Sequence, residues 1–322
     1  MGNTEIPRNI LITTTLKSFA KINWVLEILN KRKDNYHNIS SIFDLINLYD
    51  TIQVTLIPDT IWQVELNVND PTLKSSNLIY DLINQLNNQK TNQKYFVKIE
   101  LEKRIPIGGG LGGGSSNVAT ILFYLYKQSI IDLQQAIRLC KSLGSDILPI
   151  FMLYLYPDSF ILTLEKQNIT IPIARNLSSF KLSDLKIYLI TFPFQSSTTQ
   201  AYQSYDKTIK NKEVYIGPKT YRFIYFNRIN QLQTYLTFIL HNDFEQTVFE
   251  LYPTIGQLVE EIRNKIKEGS FIKDIKILLC GSGSSVAVIC KNPSLPINSI
   301  LNIDIIQTKY GVKVMEVENG SN

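Results

Sequence analysis

The chain has 322 residues, 44% of them hydrophobic and 19% charged, with a net charge of +5. That length suits two domains better than one core, and the composition excludes a disordered or fibrous chain. No run approaches the ~20 apolar residues that span a bilayer, and no block of basic residues suggests a nucleic-acid tail, so neither membrane nor nucleic acid is an expected partner.

Cys140, Cys280 and Cys290 are an odd number, lack metal-ligand spacing and sit in apolar stretches, which predicts buried reduced thiols and a reducing compartment. The start, Met1-Gly2-Asn3-Thr4-Glu5-Ile6, has Ile6 where a myristoylation motif wants Ser or Thr, and it shows neither a signal nor a transit pattern. A cytoplasmic protein is expected.

In chain order, Leu16 to Ile28 alternates: Ala20, Ile22, Trp24, Leu26 and Ile28 share one face, and Lys17, Lys21, Asn23 and Glu27 the other. This predicts a half-buried strand on which Lys21 and Asn23 point the same way. Strands are also predicted over Thr51 to Ile57, Trp62 to Val68 and Tyr95 to Leu101, and a helix over Asn77 to Leu86 after the turn-prone Ser75-Ser76. A glycine-rich loop then opens a nearly uniformly apolar helix, Ser115 to Lys127, which must be buried. A second helix, Leu133 to Leu143, stops at Gly144, and Asp146 precedes another apolar run to Leu155. A polar segment near 175 to 183 predicts a domain boundary, placed at 178/179. Beyond it lie a strand at Lys186 to Phe192, helices at Asp243 to Leu251 and Ile255 to Lys267, and strands at Ile275 to Leu279 and Val286 to Ile289. Residues 206 to 233 show no clear period.

The loop Gly108-Gly109-Gly110-Leu111-Gly112-Gly113-Gly114-Ser115-Ser116 spends six glycines, so the fold must need their φ freedom or their missing side chains. Free N–H groups and the positive end of the helix dipole make such a loop an anion site, and phosphate is the usual occupant. A Walker A loop would end in Gly-Lys-Ser/Thr. A dinucleotide fingerprint is formally matched by Gly108, Gly110 and Gly113, but Asp132 precedes a helix instead of ending a strand. A flexible linker would not run straight into a buried helix. A second loop, Gly281-Ser282-Gly283-Ser284-Ser285, lies between two predicted strands and taken alone is an ordinary turn.

Pro106-Ile107 followed by the first loop resembles the phosphate-loop motif of the GHMP kinases, and the loop from Gly281 resembles their C-terminal glycine motif. Phe19-Ala20-Lys21-Ile22-Asn23 with Asp34-Asn35-Tyr36-His37 is similar to the branch that phosphorylates a cytidine diphosphate-linked alcohol in the non-mevalonate route to isoprenoids. The resemblance spans nearly the whole chain and includes Asn242-Asp243-Phe244-Glu245 and Tyr252-Pro253. It implies an α+β fold of two domains, the first (1–178) like ribosomal protein S5 domain 2 and the second (179–322) a ferredoxin-like α/β plait, with the active site in the interdomain cleft. It also implies ATP with Mg²⁺, whose protein ligands it leaves unassigned, and a monomer or homodimer. Lys21 and Asp146 are the implied catalytic pair. Lys103, Pro106, Gly108, Gly109, Gly110, Leu111, Gly112, Gly113, Gly114, Ser115, Ser116 and Asn117 are implied to hold the nucleotide. Asn23, Tyr36, His37, Phe43, Thr198, Tyr202, Gly281, Ser282 and Gly283 are implied to hold the alcohol substrate, with His37 reading the cytosine and Tyr202 stacking on it. His241 has no such match and is expected to be structural.

On residues alone, the favoured readings are that Asp146 caps a helix and that Lys21 is a solvated strand lysine. A homoserine or mevalonate kinase of the same family, or a non-catalytic nucleotide-binding relative, are the competing functions. The sequence departs from the family pattern at Asn35, where the family has Gly, at Asp146-Ile147-Leu148-Pro149, which is one residue longer, and at Pro193-Phe194-Gln195-Ser196.

Overall fold

The computed structural model describes residues 12–91, 93–175, 185–208, 216–229, 231–271 and 273–318. The boundary expected at 178/179 and the N-terminal segment read for targeting signals lie outside them. The chain divides into two compact units, one of Met1–Ala20, Tyr49–Ile105 and Gly112–Leu155, the other of Lys21–Leu48, Pro106–Leu111 and Tyr156–Asn322.

The first unit takes the start of β1 (Ile12–Lys31), the end of β2 (His37–Asp59), β3 (Gln63–Val68), α1 (Leu78–Asn87), β4 (Lys94–Glu102), α2 (Gly113–Lys127), α3 (Leu133–Leu143) and α4 (Ile147–Leu155). β4 pairs antiparallel with β2 and parallel with β3. Asn77 caps α1 through Ile79 N–H, and Asp132 with Gln135 forms a capping box on α3, so both helices begin where the sequence predicts. α2 packs against α1, α3 and α4 and buries Val118, Ala119, Ile121, Leu122 and Leu125, as its apolar sequence requires. The apolar run after Asp146 is the helix α4. Its third residue, Pro149, is tolerated because first-turn N–H groups need no intrahelical acceptor, and Ile150 N–H closes the turn on the Asp146 carbonyl at 3.2 Å.

The second unit takes the remainder of β1 and β2 with β5 (Ser159–Leu164), β6 (Ile169–Ala174), β7 (Lys186–Thr191), α5 (Thr198–Thr208), α6 (Pro218–Arg228), α7 (Leu232–Ile239) and β8 (His241–Asn242). It continues through α8 (Glu245–Leu251), α9 (Pro253–Glu268), β9 (Ile275–Leu279), β10 (Val286–Cys290), α10 (Ile297–Leu301), α11 (Ile303–Tyr310) and β11 (Lys313–Val317). One sheet has the order β11-β7-β10-β9, antiparallel throughout. Numbered along the chain that order is 4-1-3-2, the ferredoxin-like plait. Ile190, Leu279, Val286 and Val288 from its strands share a core with Leu258, Val259 and Ile262 of α9. In the other sheet β2 pairs with β5, β5 with β6, and β1 runs parallel to β8. The architecture is α+β with two sheets.

The half-buried reading of β1 needs correction. Residues 12–17 alternate, but 18–29 are buried on both faces, including Lys21, Asn23 and Glu27. The polar face is covered because it meets polar partners: Glu27 accepts from Lys219 N–H (3.0 Å), Thr220 N–H (2.8 Å) and the Thr220 hydroxyl (2.8 Å) at the start of α6. The three cysteines are free and buried as expected, and burial pushes the Cys280 thiol up to about 12. Among the described residues no helix is long and apolar enough to cross a membrane.

Candidate functional site

In the second unit the two glycine loops are built against each other. Ser284 N–H donates to the Gly108 carbonyl (3.3 Å) and Ser285 N–H to that of Gly109 (3.2 Å). Gly108, Gly110 and Gly281 adopt φ of +67°, +76° and +53°, where L side chains are strained. A Cβ on Gly110 would fall 1.7 Å from the Cys280 carbonyl oxygen, and one on Gly283 would fall 1.9 Å from Gly110 N. Backbone meets backbone here, so these glycines serve the loop pair before they serve a ligand. Asn242, at the end of β8, fixes the second loop by donating Nδ2 to the Leu279 (2.8 Å) and Gly281 (2.7 Å) carbonyls. Its part in the site was missed, since both acceptors lie more than thirty residues away. The Ser196 hydroxyl lies within hydrogen-bonding reach of both the Gly108 (3.1 Å) and Ser282 (2.8 Å) carbonyls, which share its one hydrogen, and Thr198 Oγ1 lies 2.8 Å from Ser282 Oγ. The departing Pro193–Ser196 stretch is therefore wired into both loops.

Lys21 and Asn23 do point the same way. Lys21 is 4% exposed, its N–H donates to the Leu111 carbonyl (3.0 Å), and its Nζ donates to Asn23 Oδ1 (2.6 Å). Asn23 is anchored in turn on the Ser41 hydroxyl (2.9 Å), and the Phe43 ring centroid lies 5.7 Å from Lys21 Nζ. A Cβ on Gly281 would sit 3.0 Å from that ammonium, so strand β1 delivers a buried cation to the paired loops.

At the start of β2 the turn works as Asn35 allows, with φ of +66°. Tyr36 is 72% exposed and His37 is 5% exposed. Tyr202, on α5, stacks directly on His37 with centroids 4.7 Å apart and planes 13° off parallel, and its other neighbour Phe244 meets it edge-on. Stacked rings at that spacing leave no room for a third between them, so a base can lie on Tyr202 only after that ring turns off His37. His241, expected to be structural, bonds Asp243 at 2.7 Å.

In the first unit α2 begins at Gly112, which has φ of +67° and gives the helix no side-chain cap. The N–H groups of Gly113, Gly114 and Ser115 thus have no intrahelical acceptor and face no capping side chain, a donor set that fits a phosphate. Ser116 and Asn117 are buried and spend their side chains on the protein: Ser116 Oγ donates to the Phe19 carbonyl (2.5 Å) and Asn117 Nδ2 to Ser18 Oγ (2.9 Å) and Asp50 Oδ2 (2.9 Å). Asp50, fully buried and unforeseen, also accepts from Lys103 Nζ, Arg104 N–H (2.7 Å) and Ile105 N–H (2.9 Å). It fixes the chain entering the loop and the helix leaving it. Asp146 is half-buried at the start of α4.

The profile described as GHMP kinases N terminal domain matches residues 77–152. A 4-diphosphocytidyl-2-C-methyl-D-erythritol kinase of Thermodesulfovibrio yellowstonii is 36% identical over 84% of this chain and 88% of its own length. The enzyme of that name from Thermosipho melanesiensis is 31% identical over the same shares. Among solved structures, a 4-(cytidine 5'-diphospho)-2C-methyl-D-erythritol kinase matches with a TM-score of 0.63 at 21% identity, covering 95% of this chain and 100% of that one. A mevalonate kinase matches with a TM-score of 0.62 at 15% identity, over 95% and 99%. At those identities the structural likeness speaks for the fold, and the two relatives speak for the family. The chain belongs to the GHMP kinases, in the family of the 4-diphosphocytidyl-2-C-methyl-D-erythritol kinases.

Proposed function

We propose that this chain transfers the γ-phosphoryl group of ATP to the 2-hydroxyl of 4-diphosphocytidyl-2-C-methyl-D-erythritol. The observation that carries the reading is the loop pair with Lys21 buried against it, in a chain whose relatives bear that enzyme's name over most of their length.

Phosphoryl transfer asks the protein for position, charge compensation and an acceptor for the hydroxyl proton. The uncapped N–H groups of α2 receive phosphate oxygens, Lys21 offsets charge on the transferring group, and Asp146 takes the proton. Asn23 keeps Lys21 aimed through the 2.6 Å bond between them. Mg²⁺, bound with the nucleotide, would offset the charge on its phosphates. Among the described residues no group of three or more His, Cys, Asp or Glu could hold a metal ion.

Tyr36, His37 and Tyr202 form the cytidine end of the substrate site, with Phe43, Thr198 and the Gly281–Gly283 loop lining the rest. The boundary at 178/179, a cytoplasmic location and a monomeric or homodimeric state belong to the same proposal. A phosphotransfer assay with ATP and a panel of alcohols tests it. Transfer to the cytidylylated alcohol is expected, and transfer to mevalonate or homoserine instead, or no transfer at all, contradicts it.

A further inference from the structure

We infer that Asp206, braced by Lys31, fixes which nitrogen of His37 carries the proton and so decides whether the pocket accepts a cytosine or a uracil edge. The inference rests on the reading of His37 as the group that meets the base. Asp206 is a positioning residue in it, acting through His37.

The geometry comes from one face of α5. Tyr202, Tyr205 and Asp206 are three and four residues apart, so they share that face. Tyr202 stacks on the His37 ring, Tyr205 meets it edge-on (6.3 Å, 84°), and Asp206 Oδ1 lies 2.6 Å from Nε2. Lys31 Nζ donates to the other carboxylate oxygen at 2.6 Å. The imidazole side chain is 2% exposed, and the Asp206 bond and the Tyr205 edge leave it little freedom to turn over once Tyr202 has swung off to meet the base.

A carboxylate can only accept, so the nitrogen facing it has to carry the hydrogen. Asp206 stays ionised: burial works against the charge, but the bonds from Lys31 and His37 outweigh it and hold the carboxyl below its usual range. With the proton on Nε2, the neutral ring presents Nδ1 as an acceptor. Among the described residues none is hydrogen-bonded to Nδ1. Cytosine offers an amino donor at C4 and uracil a carbonyl acceptor, so an acceptor nitrogen matches the first and repels the second. Asp206→Asn removes the constraint, because an amide can donate as well as accept and both tautomers become available.

The chain has only two histidines, so ¹⁵N spectra of the imidazoles are assignable with His241→Gln as reference. In the wild type, in the alkaline range where the ¹⁵N shifts show a neutral ring, His37 should carry its single proton on Nε2. A neutral ring protonated on Nδ1 overturns the inference without any variant at position 206. In the transfer assay with the cytidylylated alcohol and its uridine counterpart, Asp206→Asn should cut the cytidine preference by roughly tenfold to a hundredfold. The loss should fall in KM for the alcohol, with kcat and the KM for ATP near wild type. Lys31→Met should act in the same direction more weakly. A preference that survives a folded Asp206→Asn enzyme overturns the role of Asp206. A wild type with no cytidine preference instead removes the reading of His37 itself, and the two failures are told apart by which protein shows them.

Discussion

The glycine-rich stretch divides after Leu111 into two regions that need glycine for different reasons. Before that point a Cβ on Gly110 strikes the Cys280 backbone at 1.7 Å, where nothing can yield, and those on Gly108 and Gly109 meet the Gln195 and Ser285 side chains at 2.6 Å. After it, a Cβ on Gly114 meets only Leu78 Cδ1 at 3.7 Å, and one on Gly113 meets side-chain atoms, Lys103 Nζ at 3.0 Å and Ile105 at 3.1 Å. Glycine in the first region lets two loops interlock, and in the second it keeps a helix N-terminus bare. Composition makes the two look alike, yet mutation should separate them.

The largest effect is expected at Gly110→Val, where a β-branched side chain meets both the clash and a φ of +76°. We expect a loss above about 4 kcal/mol, or no folded protein, by thermal and denaturant unfolding. A variant that melts like the wild type and loses only ATP affinity would show that the loop pair is dispensable to the fold. Next comes Asp50→Asn, which leaves the Lys103 ammonium buried without its counter-charge and gives Arg104 and Ile105 N–H a poorer acceptor. Its expected cost is about 3–5 kcal/mol, and a denaturation midpoint near wild type would mean that Asp50 does not organise the loop entry. The smallest stability effect belongs to Gly114→Ala, neutral or stabilising by up to about 1 kcal/mol since alanine suits a helix better. Its cost should appear in ATP binding by titration calorimetry, and unaltered affinity would place the phosphates elsewhere than the bare end of α2.

What was legible in the sequence was what local chemistry decides. α3 runs from Leu133 to Leu143 as read, because Asp132, Gln135 and Gly144 mark its ends within the segment itself. β9 is likewise bounded as read, set off by turn residues. α6 was not legible: Phe223 is buried while Tyr221 and Tyr225 are exposed, so aromatics on both faces erase the period that would announce a helix. The buried polar face of β1 was misread because the groups that satisfy Glu27 lie on α6, far along the chain. Asp50 has its donors in segments more than fifty residues away and carries no mark of its role. Asp206 left a fainter trace, its helical spacing from Tyr202, which becomes meaningful only once His37 is known to lie against that face.

The central claim, transfer of a phosphoryl group to a substrate hydroxyl with Asp146 as proton acceptor, is tested most directly by single-turnover kinetics of Asp146→Asn on the cytidylylated alcohol. Asparagine keeps the shape and cannot take the proton, so the rate of the chemical step should fall by roughly 10²- to 10⁴-fold, with both substrates binding as in the wild type. A variant that transfers the γ-phosphoryl group at close to the wild-type single-turnover rate would contradict the account.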